Sequence, residues 1–139
     1  MIYFDNVSKT YPDGTMALDG VTLSVKDGEF VSIVGHSGAG KTTLMKLLLG
    51  ESRSTSGSVS FDSVDIQKVK AKDMPKLRRR IGVIFQDFRL LPNKTAYENV
   101  AFAMEVAGKT DDEIASDVPH VLELVDLSKK MWNFPRQLS

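Results

Sequence analysis

The sequence predicts an α/β fold. Three observations carry that expectation: an apolar run at residues 29–34 enters a glycine-rich loop, an apolar-faced helix follows at once, and strand-like segments give way to helical ones after residue 86. The loop reads Gly35-His36-Ser37-Gly38-Ala39-Gly40-Lys41-Thr42-Thr43. Glycine at 35 and 40, lysine at 41 and a hydroxyl at 42 make the pattern whose main-chain amides cradle phosphate. Glycine lets the backbone bend where other residues cannot and come close to a ligand. The N–H groups from Gly38 to Thr43, helped by the positive end of the helix starting near Gly40, suit a β-phosphate. Lys41 suits the β- and γ-oxygens as a flexible point charge, and the Thr42 hydroxyl suits Mg²⁺. A chance glycine-rich turn would lack the strand before it and the helix after it.

Taken in order, residues 2–7 and 21–25 read as half-buried strands, the second strictly alternating. Pro12-Asp13-Gly14 marks a turn between the first strand and residues 15–18, so a small antiparallel sheet precedes the loop. Glu29-Phe30-Val31-Ser32-Ile33-Val34 reads as a buried strand, and Leu44, Leu47 and Leu48 give the next helix one apolar face. Gly50 closes that helix, a serine-rich loop follows, and residues 58–61 form a strand ending in a turn at 62–65. Residues 73–80 form a short helix with Pro75 in its first turn, leading to a second apolar strand, Ile81-Gly82-Val83-Ile84-Phe85, with Gln86 at its end. Thr95 with Glu98, and Thr110 with Glu113, make capping boxes for helices reaching about Ala107 and Val125. Pro119 should kink or divide the second.

Composition narrows the function classes. Lys and Arg total 18 and Asp and Glu total 18, so no overall field favours nucleic acid or anionic lipid. There is no cysteine, which excludes disulfides, thiolate metal sites and cysteine nucleophiles. The first five residues lack the basic region of a secretory leader, and none is expected. No segment approaches the ~20 apolar residues that cross a bilayer, so any membrane role comes through a partner.

Tyr11, the loop at 35–43, the strand ending in Gln86, and Leu91-Pro92-Asn93-Lys94-Thr95-Ala96-Tyr97-Glu98-Asn99-Val100 together resemble an ABC-type ATPase domain over the whole chain. Within that superfamily, residues 79–92 and 133–139 look closest to the ATP-binding proteins of bacterial cell division. The resemblance implies a P-loop NTPase core with an antiparallel β subdomain at 1–87, carrying the A-loop, Walker A and Q-loop, and the start of a helical subdomain at 88–139. It implies ATP and Mg²⁺ as ligands. Tyr11 would stack on adenine; Gly35, Ser37, Gly38, Ala39, Gly40, Lys41, Thr42 and Thr43 would hold the phosphates; Thr42 and Gln86 would meet the metal; and Lys41 and Gln86 would serve catalysis. Tyr3 and Tyr97 read as structural, His36 as a loop filler that contacts backbone, and Arg78-Arg79-Arg80 as a solvated face or a contact to a partner or phosphate-bearing ligand.

The departure from the family matters as much. Its signature loop begins Leu-Ser-Gly-Gly, whereas this sequence stops at Leu138-Ser139. The Mg²⁺-associated Asp, the catalytic Glu and the switch His of the family have no counterpart, for no apolar run here ends in Asp-Glu. The C-terminal part of the core is therefore expected to be missing, with apolar edges left open. Phosphoryl transfer needs several groups placed at once, so the chain is expected to bind Mg·ATP and to hydrolyse it poorly or not at all. The intact protein is expected to dimerise and to drive a membrane subunit in cell division from the cytoplasmic face. Two alternatives stay open: the ATPase of a lipoprotein-releasing or macrolide-type exporter, and a non-hydrolysing module that docks to a partner when nucleotide is bound.

Overall fold

Apolar and polar residues alternating near the N-terminus supply two strands of a four-stranded antiparallel sheet. Its strands are β1 (Ile2–Thr10), β2 (Met16–Val25), β3 (Ser56–Phe61) and β4 (Val64–Asp65), in the order β2-β1-β3-β4. β1 is central. Phe4 stands opposite Leu23 on one side and Val59 on the other, so one buried residue serves two pairings. The expected turn joins β1 to β2: the Gly14 amide donates to the Tyr11 carbonyl at 2.9 Å, and the Thr15 amide to Asp13 Oδ1 at 2.9 Å.

The helix that follows the loop lies in the same core as this sheet. In α1 (Lys41–Leu48), Leu44, Leu47 and Leu48 are buried in one cluster with Phe4 and Val7 of β1 and Val59 of β3. Full burial of each leucine contributes about 1.5–3 kcal/mol. Gly40 caps the start at φ 85°, and a Cβ there would lie 2.4 Å from the Ala17 carbonyl oxygen and 2.8 Å from Leu18 Cδ2, both on β2. Gly50 turns the chain away at the other end, with the Glu51 amide donating to the Lys46 carbonyl at 2.8 Å. The short helix α2 (Met74–Arg78) has proline in its first turn, and Arg78 Nε donates to the Leu49 carbonyl at 2.8 Å.

The computed structural model describes residues 1–138 and divides into two units, Met1–Gly82 and the remainder from Val83. In the second, both capping boxes form as the sequence suggests, starting α3 (Ala96–Ala107) and α4 (Asp111–Leu124). Gly108 ends α3. Ile114, Val118 and Leu122 recur every four residues on α4 and are buried with Ala96 and Ala101 of α3. Pro119 does not divide α4, which runs unbroken past it. The buried stripe extends on both sides of the proline, holding the helix together against a penalty of about 3 kcal/mol. Tyr97 is structural, its ring stacked on Trp132 with centroids 4.9 Å apart.

Two expected strands are absent. Neither 29–34 nor 81–85 joins a ladder among the described residues, and Phe30, Val34 and Ile84 are 93%, 86% and 92% exposed. A strand is defined by hydrogen bonds to a neighbour, and an apolar run records what a strand would bury without supplying that neighbour. Ser139 lies outside the described residues, so the expected opening of the signature loop at Leu138-Ser139 is described only as far as Leu138.

Two outcomes test this packing. Gly40→Ala should cost ~2 kcal/mol or more in chemical denaturation, because a left-handed backbone and a clash with β2 coincide there. Gly38→Ala, at φ 83° with nothing within 4 Å of the added Cβ, should cost only the conformational part, ~1 kcal/mol. Equal losses would contradict the contact with β2. The Lys109 ammonium and then the Thr110 amide hold the Glu113 carboxyl down to about 2 from its ordinary 4.5, and the Thr95 amide lowers Glu98. A depressed carboxylate stabilises above its unfolded value and stops doing so as pH falls through its folded one. Helix stability should therefore decline between about pH 4.5 and pH 2. A Glu113 side-chain titration by NMR with its midpoint at 4.5 would rule this out.

Candidate functional site

The loop at 35–43 enters α1 through two left-handed glycines, Gly38 at φ 83° and Gly40 at φ 85°. Such turns aim successive amides to one side and make concave anion sites. The first α-helical bond is from the Leu44 amide to the Gly40 carbonyl, at 3.0 Å. Among the described residues, the amides of Lys41, Thr42 and Thr43 have no acceptor, and Gly40 offers no capping side chain. These are the orphan donors of a helix start, with the positive end of the helix dipole behind them.

Lys41 completes the loop. Its Nζ donates to the Gly35 carbonyl at 2.6 Å and to the His36 carbonyl at 2.7 Å, so the ammonium of the helix's first residue folds back to where the loop begins. The Ala39 amide donates to the His36 carbonyl at 3.2 Å, closing the bend. His36 itself engages backbone, with Nδ1 2.7 Å from the Ser37 carbonyl oxygen. Residues 35–39 and Thr42 are exposed, Lys41 is half-buried and Thr43 is buried. Hydrogen-bond donors and one positive charge on this bend fit a polyanion; the Thr42 hydroxyl is a hard oxygen donor of the kind Mg²⁺ accepts.

Tyr11 belongs to the same region. Its hydroxyl lies 3.2 Å from Thr43 Oγ1, and Lys9 Nζ lies 5.2 Å from the centre of its ring. The turn after β1 is thereby tied to the second residue after Lys41. The role of Thr43 as the partner of Tyr11 is not written in the sequence, because 32 residues separate the two. Gln86 stands in the second unit, on an exposed turn where the Phe88 amide donates to the Phe85 carbonyl at 3.1 Å.

Known proteins resemble this chain in sequence and in fold. Residues 18–139 match the family described as ABC transporter. The whole chain is 47% identical to the cell division ATP-binding protein FtsE of Bacillus subtilis (strain 168), spanning 61% of it, and 49% identical to FtsE of Streptococcus pneumoniae serotype 2 (strain D39 / NCTC 7466), spanning 60%. FtsE of Escherichia coli (strain K12) is 47% identical, with 63% of its length spanned. The chain thus spans about three fifths of the length of these relatives. Among solved structures, a dimeric ATP-binding cassette in a post-hydrolysis state bound to ADP and Pi superposes with a TM-score of 0.88 at 34% identity, over 100% of this chain and 63% of that one. A dimeric bacterial ABC transporter cassette gives 0.88 at 35% identity with the same coverage. The chain belongs to the ABC transporter family, as part of its ATP-binding cassette.

Proposed function

We propose that this chain binds Mg·ATP through the loop at 35–43 and that the protein it represents is the ATP-binding subunit of a bacterial cell-division complex. The observation that carries the reading is the Lys41 ammonium, 2.6 Å from the Gly35 carbonyl, beside three main-chain amides without acceptors. A triphosphate supplies the oxygens those amides lack and a counter-charge for the ammonium. In this reading Gly35, Ser37, Gly38, Ala39 and Gly40 shape the cradle, Lys41 neutralises β- and γ-oxygens, and Thr42 holds Mg²⁺. Thr43 helps to close the cradle and steadies Tyr11, whose ring stacks on the adenine. Gln86 contributes an amide toward metal and γ-phosphate and, with Lys41, serves the reaction of the whole protein. Residues 1–87 act as the ATP-binding core and 88–139 as part of the helical subdomain.

For the whole protein, similarity to FtsE supports a cassette that dimerises and couples ATP hydrolysis to a membrane subunit resembling FtsX, working at the cytoplasmic face of the plasma membrane. No helix among the described residues is long and apolar enough to cross a membrane. These 139 residues contain no apolar run ending in Asp-Glu, so no carboxylate of that kind is available to polarise water. The chain by itself therefore binds nucleotide with little turnover.

The test is a calorimetric titration with Mg·ATP beside Lys41→Ala, with phosphate release followed in parallel. The variant should bind at least tenfold more weakly, and neither protein should release phosphate in a Lys41-dependent manner. Equal affinities would remove the loop from the site.

A further inference from the structure

The even charge balance of the chain hides a local excess. Residues 68–80 hold seven of its 18 cations and one carboxylate, Asp73. Five of the seven, Lys68, Lys70, Lys72, Lys76 and Arg80, line a cleft of about 520 Å³ in the first unit, together with Asp73 and the apolar side chains of Val64, Val69 and Leu77. Arg80 is held in place, with Nη2 2.5 Å from Asp62 Oδ2 and its guanidinium 5.1 Å from the centre of the Phe61 ring. Lys68 pairs with Asp65 at 3.1 Å, but its side chain is 85% exposed, where such a pair counts for little. Among the described residues, Lys70, Lys72 and Lys76 have no carboxylate within ion-pair distance.

Like charges sharing one concave site repel one another, and clefts of one sign concentrate counter-ions. Which anion fits follows from what lines the cleft. Lysines act as mobile point charges that suit phosphate oxygens from several directions. The cleft has no aromatic lining on which a base could stack, as single-stranded nucleic acid would require. It also shares no residue with the loop at 35–43.

We propose that this cleft is a second anion site, taking a phosphate-bearing anion at Lys70, Lys72 and Lys76, apart from the loop at 35–43. Such a ligand is either a free phosphate anion or the headgroup of an anionic phospholipid. The proposal does not depend on the nucleotide reading, and its test is run on Lys41→Ala protein so that the loop contributes least. Lys70→Gln, Lys72→Gln and Lys76→Gln are introduced together; all three side chains are exposed, and circular dichroism checks that the fold is kept.

One arm titrates inorganic pyrophosphate by calorimetry. The other co-sediments the protein with phosphatidylglycerol–phosphatidylcholine vesicles, against phosphatidylcholine alone. The triple substitution should weaken binding of at least one probe tenfold or more, and raising the salt from about 50 to about 200 mM should weaken it further. Loss in the pyrophosphate arm alone identifies a free anion, and loss in the vesicle arm identifies a lipid headgroup. Binding of neither probe, binding unchanged by the triple substitution, or preference for a single-stranded RNA oligonucleotide over both probes would overturn the proposal.

Discussion

Burial of Leu44, Leu47 and Leu48 in one cluster with the antiparallel sheet is the constraint on which the loop at 35–43 depends. The loop has few contacts of its own, and its residues 35–39 are exposed. What holds its amides in place is the helix they open into, and what holds that helix is a core whose leucines contribute several kcal/mol together. Gly40 is the fixed point between them. With the Ala17 carbonyl so near, only a residue without a side chain lets α1 start where it does. Lys41 then reaches back across the bend, and Tyr11 reaches Thr43 from the turn after β1.

Local features were legible in the sequence because the signals and the structures they specify are only a few residues apart. Thr95 with Glu98, Thr110 with Glu113, Gly50, Gly108 and the Asp13-Gly14 turn each act within about four residues, and each element starts or stops as they suggest. The antiparallel strands were legible for a related reason, since alternation reports which face of a strand is buried. Pairing is a different matter. The runs at 29–34 and 81–85 have the composition of buried parallel strands, yet a ladder needs a second strand, and neither finds one among the described residues. Long-range contacts were equally invisible: the approach of Gly40 to Ala17 and the bond from Tyr11 to Thr43 join positions whose proximity no short-range pattern encodes.

The site divides along the same line. The reading of residues 35–43 as a phosphate cradle rests on residue types in fixed order, and the structure adds that the Lys41 ammonium bonds the Gly35 and His36 carbonyls. Overall charge was a poorer guide. Equal numbers of acids and bases argue against a field over the whole surface, but they say nothing about how charge is spread, and residues 68–80 concentrate it in one cleft.

Main-chain resonances of the loop offer the most direct check on the idea that amides and one ammonium gather round a phosphate tail. In an ¹⁵N-labelled sample, Mg·ATP should shift the amide signals of residues 38–43, whereas adenosine, which has no phosphate, should leave them nearly in place. If Mg·ATP leaves those signals unmoved, or if adenosine moves them equally, the loop is not the phosphate site.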